Sequence, residues 1–393
     1  MTAALRRLFG EGYRVFFLAA GLYAVFVLSV WTGWIGGAGL PVGLPPVHWH
    51  GHELIFGYGA AALAGFFLTA VPNWTGAKAA RHAFIASAAA LWLAGRIAVW
   101  FSGPVPAVAV ALVDLAFLPL LAAKIATQLV RRPKPANVMF LGLLALIWVG
   151  NLLVHLDWAG LAEGRLDTGM RGGLYGLCAM IAVLGGRVTP AFTRNALQRA
   201  GRGTALPVSR RAFEIPGIVL AIALPVAVML GLPAAMTGAI ALGCGLAQLA
   251  RLAGWRGRAT LDQPILWSLH LAFAFLGLGY VLTGLAAFGL GDPVAPLHLL
   301  AIGAIGGMTL AVMSRATLGH SGRPLVAPRP VALAYGLLPA AAVLRWLSAA
   351  APGAWSMPAL IAAGALWIAS FSLFVLSLWS AFWGPRADAA SGG

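Results

Sequence analysis

Residues 45–76 read PPVHWHGHELIFGYGAAALAGFFLTAVPNWTG and hold three of the eight histidines of the chain, followed by a long apolar run. His48, His50 and His52 alternate with other residues, so an extended backbone would point all three rings to one side. A helix would instead place His48 and His52 on one face and His50 on the opposite face. Neutral imidazole is a good ligand for copper, zinc and haem iron. We therefore interpret the cluster as a metal or haem site, with a histidine-rich solvated loop as the alternative.

The composition is typical of a polytopic membrane protein. Of the 393 residues, 61% are hydrophobic and 9% are charged, which excludes an ordinary soluble domain. Cys178 and Cys244 lie in apolar runs, and neither CxxC nor CxxCH occurs, so we expect no disulfide framework and no covalently attached haem. Basic loops on one side of the membrane explain the net charge of +16, and no motif indicates nucleic-acid binding, a hydrolase triad or a phosphate-binding loop.

Apolar segments of about 20 residues predict an all-α polytopic fold with about twelve transmembrane helices. In the first half of the chain, the predicted spans are 15–35, 54–71, 83–101, 105–130, 138–155 and 170–188. In the second half they are 215–230, 233–253, 265–290, 297–315, 331–350 and 357–382. We expect a single transmembrane domain, 1–393, whose first span is retained rather than removed as a signal peptide.

The basic residues indicate the orientation of these spans. Arginine and lysine accumulate in loops on the side of the N-terminus and are scarce in the opposite loops. Basic residues on the N-terminal side include Lys78, Arg81, Arg131, Arg132, Lys134, Arg187, Arg194, Arg199, Arg202, Arg210, Arg211, Arg251, Arg256, Arg258, Arg323, Arg329 and Arg386. Because positively charged loops stay in the cytoplasm, we expect both termini inside the cell and the histidines of 48–52 at the outer surface.

A weak internal repeat accompanies the spans. The ends of spans two, six and ten read TAVPNWT (69–75), RVTPAFT (187–193) and AVMSRAT (311–317). The starts of spans two and ten also correspond, with HELIFG at 52–57 and HLLAIG at 298–303. These matches predict a pseudo-threefold bundle of four-helix units, bounded near 1–134, 135–258 and 259–393. The alternative is chance similarity between short apolar segments.

Four motifs resemble those of the NnrS family: HWHGHE (48–53), LTAVPNWTG (68–76), GGRVTPAFTRN (185–195) and MSRATLGHSGR (313–323). The resemblance extends over essentially the whole chain, since the motifs lie on spans two, six and ten. It implies a bacterial inner-membrane protein that is associated with haem b, with copper and with the response to nitric oxide and nitrosative stress. It implies no particular reaction, and the catalytic residues and the electron donor stay unknown.

Given this resemblance, His52 and His298 are the expected haem ligands. His298 opens span ten at the membrane level of His52, as a bis-imidazole haem requires, although an interfacial histidine bonded to a loop carbonyl is the alternative. His48 and His50, in the entry loop of span two, are expected to bind copper, and His52 and His298 are further candidate metal ligands. Arg171, at the outer end of span six, is a candidate partner of a haem propionate.

Three further histidines are candidates for cofactor binding. His270 and His320, together with Arg315, are candidates for a second site on the inner side of the membrane. His320 is equally well interpreted as a loop residue at a helix end. His155 ends span five at the outer face and is a possible additional ligand.

Two opposite charges also lie inside predicted spans. Arg96 belongs to span three and Asp114 to span four, and a tight connection joins these two spans. Ionisable residues within a membrane are functional candidates by default. The spacing predicts a buried ion pair between Arg96 and Asp114, with a proton path as the alternative.

These features indicate an integral membrane protein that binds haem and copper and takes part in nitric oxide binding, detoxification or electron transfer. The expected partners are nitric oxide or a related small ligand and the lipid bilayer. The rival hypothesis is a secondary transporter of a metal ion or a proton-coupled solute, for which twelve spans with internal repeats are equally suitable. A visible absorption spectrum separates the two hypotheses, because a transporter without haem is colourless.

Overall fold

Among the residues that the structure describes, twelve helices are long and apolar enough to cross a membrane, which confirms the predicted all-α fold. The computed structural model describes residues 2–39, 42–131, 133–203 and 206–388, and within these ranges it contains helices and no strand. The first six spans are Gly12–Ile35, Pro46–Thr75, Ala83–Trp100, Ala107–Leu129, Pro135–Trp158 and Leu166–Arg199. The other six are Arg211–Met229, Ala234–Ala253, Pro264–Ala287, Ala295–His320, Arg329–Ala350 and Ser356–Trp383.

Span two begins earlier than expected, which corrects the predicted entry loop. Its first turns, Pro46–His52, are α-helical, so His48 and His50 lie on a helix and not in a loop. Proline at the first helical position lacks only an N–H that would have no helical partner there, and its fixed φ angle suits the helix. Hydropathy alone marked the start of the apolar run and missed this polar first turn.

The contacts of the chain divide it into two compact units. Unit one comprises the described residues of Met1–Leu174, Ala316–Pro324 and Phe374–Gly393. Unit two comprises those of Tyr175–Arg315 and Leu325–Leu373. The predicted repeat of three four-helix units stays a prediction.

A short π-helical segment follows a histidine in each unit. Glu53–Tyr58 follows His52 in unit one, and Leu299–Gly306 follows His298 in unit two. A π-helix carries one extra residue per turn and occurs mostly near functional sites. The two segments coincide with HELIFG and HLLAIG, whose similarity suggested the repeat.

Span four is interrupted at Ala116, between Ala107–Leu115 and Phe117–Leu129. Pro119 has no N–H to donate to the carbonyl of Leu115, four residues earlier. The indole Nε1 of Trp148 on span five donates to that carbonyl instead, at 3.0 Å. The interruption therefore couples span four, which carries Asp114, to span five.

Arginines near the N-terminus hold the end of span twelve within unit one. Arg14 Nη1 donates to the carbonyls of Ala381, Phe382 and Gly384 at 2.9–3.0 Å, and Arg7 Nε donates to Trp383 O at 2.9 Å. The last carbonyls of a helix have no partner inside it and carry its negative dipole end. The arginines therefore stabilise the end of this helix.

The helices also present large apolar side chains at their surface. Leu112 on span four, Leu246 on span eight and Leu376 on span twelve are exposed by 56–72%. Surfaces of this kind suit contact with lipid chains, as expected of a multi-pass membrane protein.

Candidate metal centre in unit one

Five ionisable side chains meet inside unit one. They are His52 and Glu53 on span two, Arg96 on span three, Asp114 on span four and His155 on span five, and each is at most 6% exposed. Charged and polar groups buried at membrane depth are stable only when they pair with one another. The polar contacts of this cluster are therefore the main determinant of its geometry.

Glu53 fixes the orientation of His52. Its Oε1 accepts hydrogen bonds from His52 Nδ1 and from Arg96 Nη1, both at 2.7 Å, and its Oε2 accepts one from the hydroxyl of Tyr23. With a proton on Nδ1, Nε2 of His52 is the nitrogen that would bind a metal, once it has lost the proton that it donates to Asn151 Oδ1. A carboxylate behind a metal-binding histidine is a common arrangement, because it fixes the tautomer and raises the basicity of the ligand.

Asp114 is the second carboxylate of the cluster. One oxygen, Oδ1, pairs with Arg96 Nη2, which confirms the predicted ion pair. The other oxygen, Oδ2, accepts hydrogen bonds from His155 Nε2 and Asn151 Nδ2, both at 2.8 Å, and lies 3.4 Å from His52 Nε2. Both histidine nitrogens therefore converge on one carboxylate oxygen.

His52, Asp114 and His155 form a possible metal centre. One ligand atom of each residue can be chosen so that all three lie within 4.8 Å of one another. Two imidazoles and one carboxylate are a ligand set that suits copper, zinc or non-haem iron. Sequence reasoning expected His52 as a ligand and named His155 as a possible additional one.

Aromatic rings and an amide surround the metal-binding nitrogen of His52. Asn151 Oδ1 lies 2.9 Å from Nε2, and the ring of Trp158 lies 4.9 Å from the imidazole. His155 stands at 83° to the His52 ring, with centroids 5.4 Å apart. These side chains lie close to Nε2, and a small ion fits among them. Haem ligation by His52 stays a prediction.

The other two histidines of the sequence cluster lie elsewhere on the first turns of span two. His50 stacks on Trp31 with ring centroids 4.4 Å apart and an interplanar angle of 18°. His48 is half-buried. The helical backbone turns residues two positions apart to opposite sides. The extended arrangement that would have brought all three rings together is therefore wrong, while copper binding by His48 and His50 stays a prediction.

His298 lies in unit two and is half-buried. Its Nδ1 is 3.2 Å from the carbonyl oxygen of Val294, so Nδ1 donates and Nε2 keeps the lone pair that a haem or metal ligand needs. The predicted pairing of His298 with His52 stays a prediction. Arg171, the predicted propionate partner, is half-buried on span six.

The residues predicted to form an inner site belong to different units. His270 in unit two faces Thr193, with 2.8 Å between Nε2 and Oγ1. His320 in unit one packs against Tyr13, with ring centroids 5.7 Å apart. Arg315 lies over the ring of Phe192 at 4.0 Å. Cofactor binding by His270 and His320 stays a prediction.

Sequence reasoning missed Asn151 and Tyr23. Asn151 and His155 are four residues apart, so they share a face of span five, and two polar residues on one face of an apolar helix were a usable signal. Tyr23 offered no such signal, since its neighbours along span one are apolar.

Comparison with known proteins identifies the relatives of the chain. The family model described as NnrS protein matches residues 7–386, nearly the whole chain. No curated protein matches the chain at a significant level.

Proposed function

The chain belongs to the NnrS family, and from this premise we propose that it is a metal-binding membrane protein of the nitric oxide response. His52, His155 and Asp114 would hold a copper ion inside the membrane. The observation that carries this proposal is the convergence of two imidazoles on one carboxylate oxygen within 4.8 Å in a fully buried setting. The link to nitric oxide rests on the family alone.

The chemistry of the donors favours copper. Imidazole is a preferred ligand of copper. Glu53 and Asp114 contribute two negative charges and Arg96 one positive charge, which leaves one negative charge at the centre. A monovalent copper ion bound by neutral imidazoles would cancel that charge, and uncompensated charge inside a membrane is costly.

Each residue has a defined task in this proposal. His52 and His155 bind through Nε2, and Asp114 binds through Oδ2. Glu53 holds the proton on His52 Nδ1, while Arg96 ties Glu53 to Asp114. To bind a metal, His52 would lose the Nε2 proton that it donates to Asn151 Oδ1, and this proton would be released. His155 would move the Nε2 proton that it donates to Asp114 onto its own Nδ1, which releases none. When bound, copper supplies one-electron chemistry and a binding position for a small ligand.

Haem b is the second cofactor that we propose, on the basis of the family and of the free Nε2 of His298. We assign no second axial ligand to this haem, because the surroundings of His52 fit a small ion. We also propose that the protein resides in the bacterial inner membrane with both termini in the cytoplasm.

Metal analysis of purified protein tests the copper proposal. We expect about one copper per chain in the wild type and its loss in His52→Ala and in His155→Ala. His82→Asn is the control, because His82 is an exposed histidine between spans two and three and lies outside the cluster. Copper that remains in both site variants would refute the assignment.

The same sample separates a resident cofactor from a transported ion. A resident copper stays with the protein through dialysis against a weak chelator, and a cargo ion is lost. A visible spectrum recorded in parallel reports haem independently of copper, so the two cofactor proposals fail or succeed separately.

A further inference from the structure

Unit two contains a basic cavity of about 580 Å³ at the ends of two spans. Leu197 in the last turn of span six and Leu252 in the last turn of span eight form apolar walls. Arg202, Arg256 and Arg258, from the segments that follow these spans, also line it. Apolar walls and a cationic rim at the ends of two spans indicate that the ligand of this cavity is an amphiphile rather than a purely soluble molecule.

The cationic rim is largely uncompensated. Arg202 is 3.4 Å from Asp262, and both side chains are at least half exposed. Across the described part of the chain, no carboxylate lies within ion-pair distance of Arg256 or Arg258. Three arginines against one aspartate leave an excess of positive charge, which favours an anionic occupant.

The backbone at Arg256 supports a binding role for this side chain. Arg256 has φ 58° and ψ 37°, the left-handed region, where a residue with a β-carbon is strained. Glycine adopts this conformation without strain, and the next residue is Gly257. Backbone strain of this kind is often found at residues that contact a ligand. A glycine at position 256 would relieve the strain but would lose the guanidinium group.

The segment just before Arg256 is held in place by hydrogen bonds and ring packing. Val208 N donates to Gly254 O at 2.9 Å, and Arg194 Nη2 donates to Pro207 O at 2.9 Å. Trp255, next to Arg256, is fully buried and packs against Phe273 with ring centroids 4.5 Å apart. The arginines therefore project from an anchored segment.

We propose that this cavity binds the phosphate group of an anionic phospholipid. Guanidinium groups bind phosphate oxygens in pairs, and basic pockets between membrane helices on the cytoplasmic side bind lipid head groups of this kind. The cavity lies on the side that the basic loops assign to the cytoplasm. Arg256 and Arg258 hold the phosphate, and an acyl chain lies along Leu197 and Leu252.

Native mass spectrometry of the full-length protein with added phosphatidylglycerol or phosphatidylcholine tests the proposal. The variant combines Arg256→Gly, which removes a charge and relieves backbone strain, with Arg258→Gln. The control combines Arg210→Gln with Arg211→Gln, which removes two exposed charges from the same side without touching the cavity. We expect the variant to lose phosphatidylglycerol binding about thirtyfold, as two arginine contacts imply, and the control to change less than twofold.

Two outcomes would overturn the proposal. In one, the variant and the control bind phosphatidylglycerol equally. In the other, millimolar inorganic phosphate occupies the site and displaces no lipid, which assigns the cavity to a soluble anion. Should the double variant fail to fold, Arg258→Gln alone is measured, because Arg258 lies in an ordinary 3₁₀ turn and its loss should still weaken binding about fivefold.

Discussion

Asp114 contacts four other polar side chains inside unit one: His52, Arg96, Asn151 and His155. Replacement by asparagine keeps the shape of the side chain and removes its charge. The buried Arg96 then pairs with only one carboxylate, that of Glu53. In soluble proteins, removing one partner of a buried ion pair lowers the free energy of unfolding by about 3–5 kcal/mol. We expect Asp114→Asn to lower the melting temperature of the detergent-solubilised protein strongly, as measured by fluorescence-detected size exclusion after heating.

A double variant separates the ion pair from the wider cluster. Arg96 Nη1 also holds Glu53, so Arg96→Met with Asp114→Leu leaves Glu53 without its cation. We expect this double variant to remain well below the wild type in stability. A double variant with the melting temperature of the wild type would show that Arg96 and Asp114 act as an isolated pair.

Glu53 is expected to affect metal binding without contacting the metal. Glu53→Gln keeps a hydrogen-bonding group behind His52 and removes the charge that fixes its Nδ1 proton. Loss of such an outer carboxylate typically weakens metal affinity 10–100-fold. A copper titration against a competing chelator measures this change, with Glu163→Gln in an exposed loop as the control. Equal affinities in the two variants would remove Glu53 from the metal centre.

At the residue scale, the sequence revealed the charged residues of the buried cluster in unit one more readily than its neutral residues. Arg96 and Asp114 stood out because charges are rare in apolar spans, and the structure pairs them. Asn151 and Tyr23 are ordinary in such spans, and their roles depend on which helix faces which. That choice is made by packing across spans, which a single sequence does not show.

Gly57, in the π-helical segment of span two, allows Arg96 to approach the helix. A β-carbon at this position would lie 2.9 Å from Arg96 Nη1 and 2.8 Å from a ring carbon of Tyr23. Because both side chains are held by Glu53, we expect Gly57→Ala to destabilise the protein by about 1–3 kcal/mol and to weaken metal binding.

Gly142 on span five is the matched control for this substitution. A β-carbon there meets no atom within 4 Å, so Gly142→Ala should leave stability unchanged or raise it by up to about 1 kcal/mol. Thermal unfolding and copper content of both variants provide the comparison. A Gly57→Ala protein that matches Gly142→Ala in both would show that the close approach is not needed.

At the element scale, hydropathy predicted how many spans there are and missed where several of them end. Span two starts at Pro46 rather than near residue 54, and span six extends over Leu166–Arg199 rather than 170–188. Helical hydrogen bonds continue past the apolar core wherever the flanking residues allow it. A window of apolar residues therefore misses polar first and last turns, and here the turns before residue 54 carry three histidines.

We propose from the basic loops that both termini lie in the cytoplasm, and reporter fusions test this orientation. Alkaline phosphatase folds to an active form only outside the cytoplasm. We expect fusions after Pro45 and Gly291 to be active and fusions after Arg131 and Arg258 to be inactive, because basic loops remain in the cytoplasm. The reverse or a mixed pattern would contradict the orientation of both termini toward the cytoplasm.

X-ray absorption at the copper edge tests the metal centre most directly. For the copper-loaded wild type we predict scattering from two imidazoles and one oxygen ligand, and for His155→Ala a spectrum with one imidazole fewer. His48→Ala combined with His50→Ala should leave the wild-type spectrum unchanged, since neither residue belongs to the group of His52, Asp114 and His155. The opposite result would contradict a copper centre at His52, Asp114 and His155. In that result, His155→Ala keeps the imidazole scattering of the wild type, and the double variant of His48 and His50 loses it.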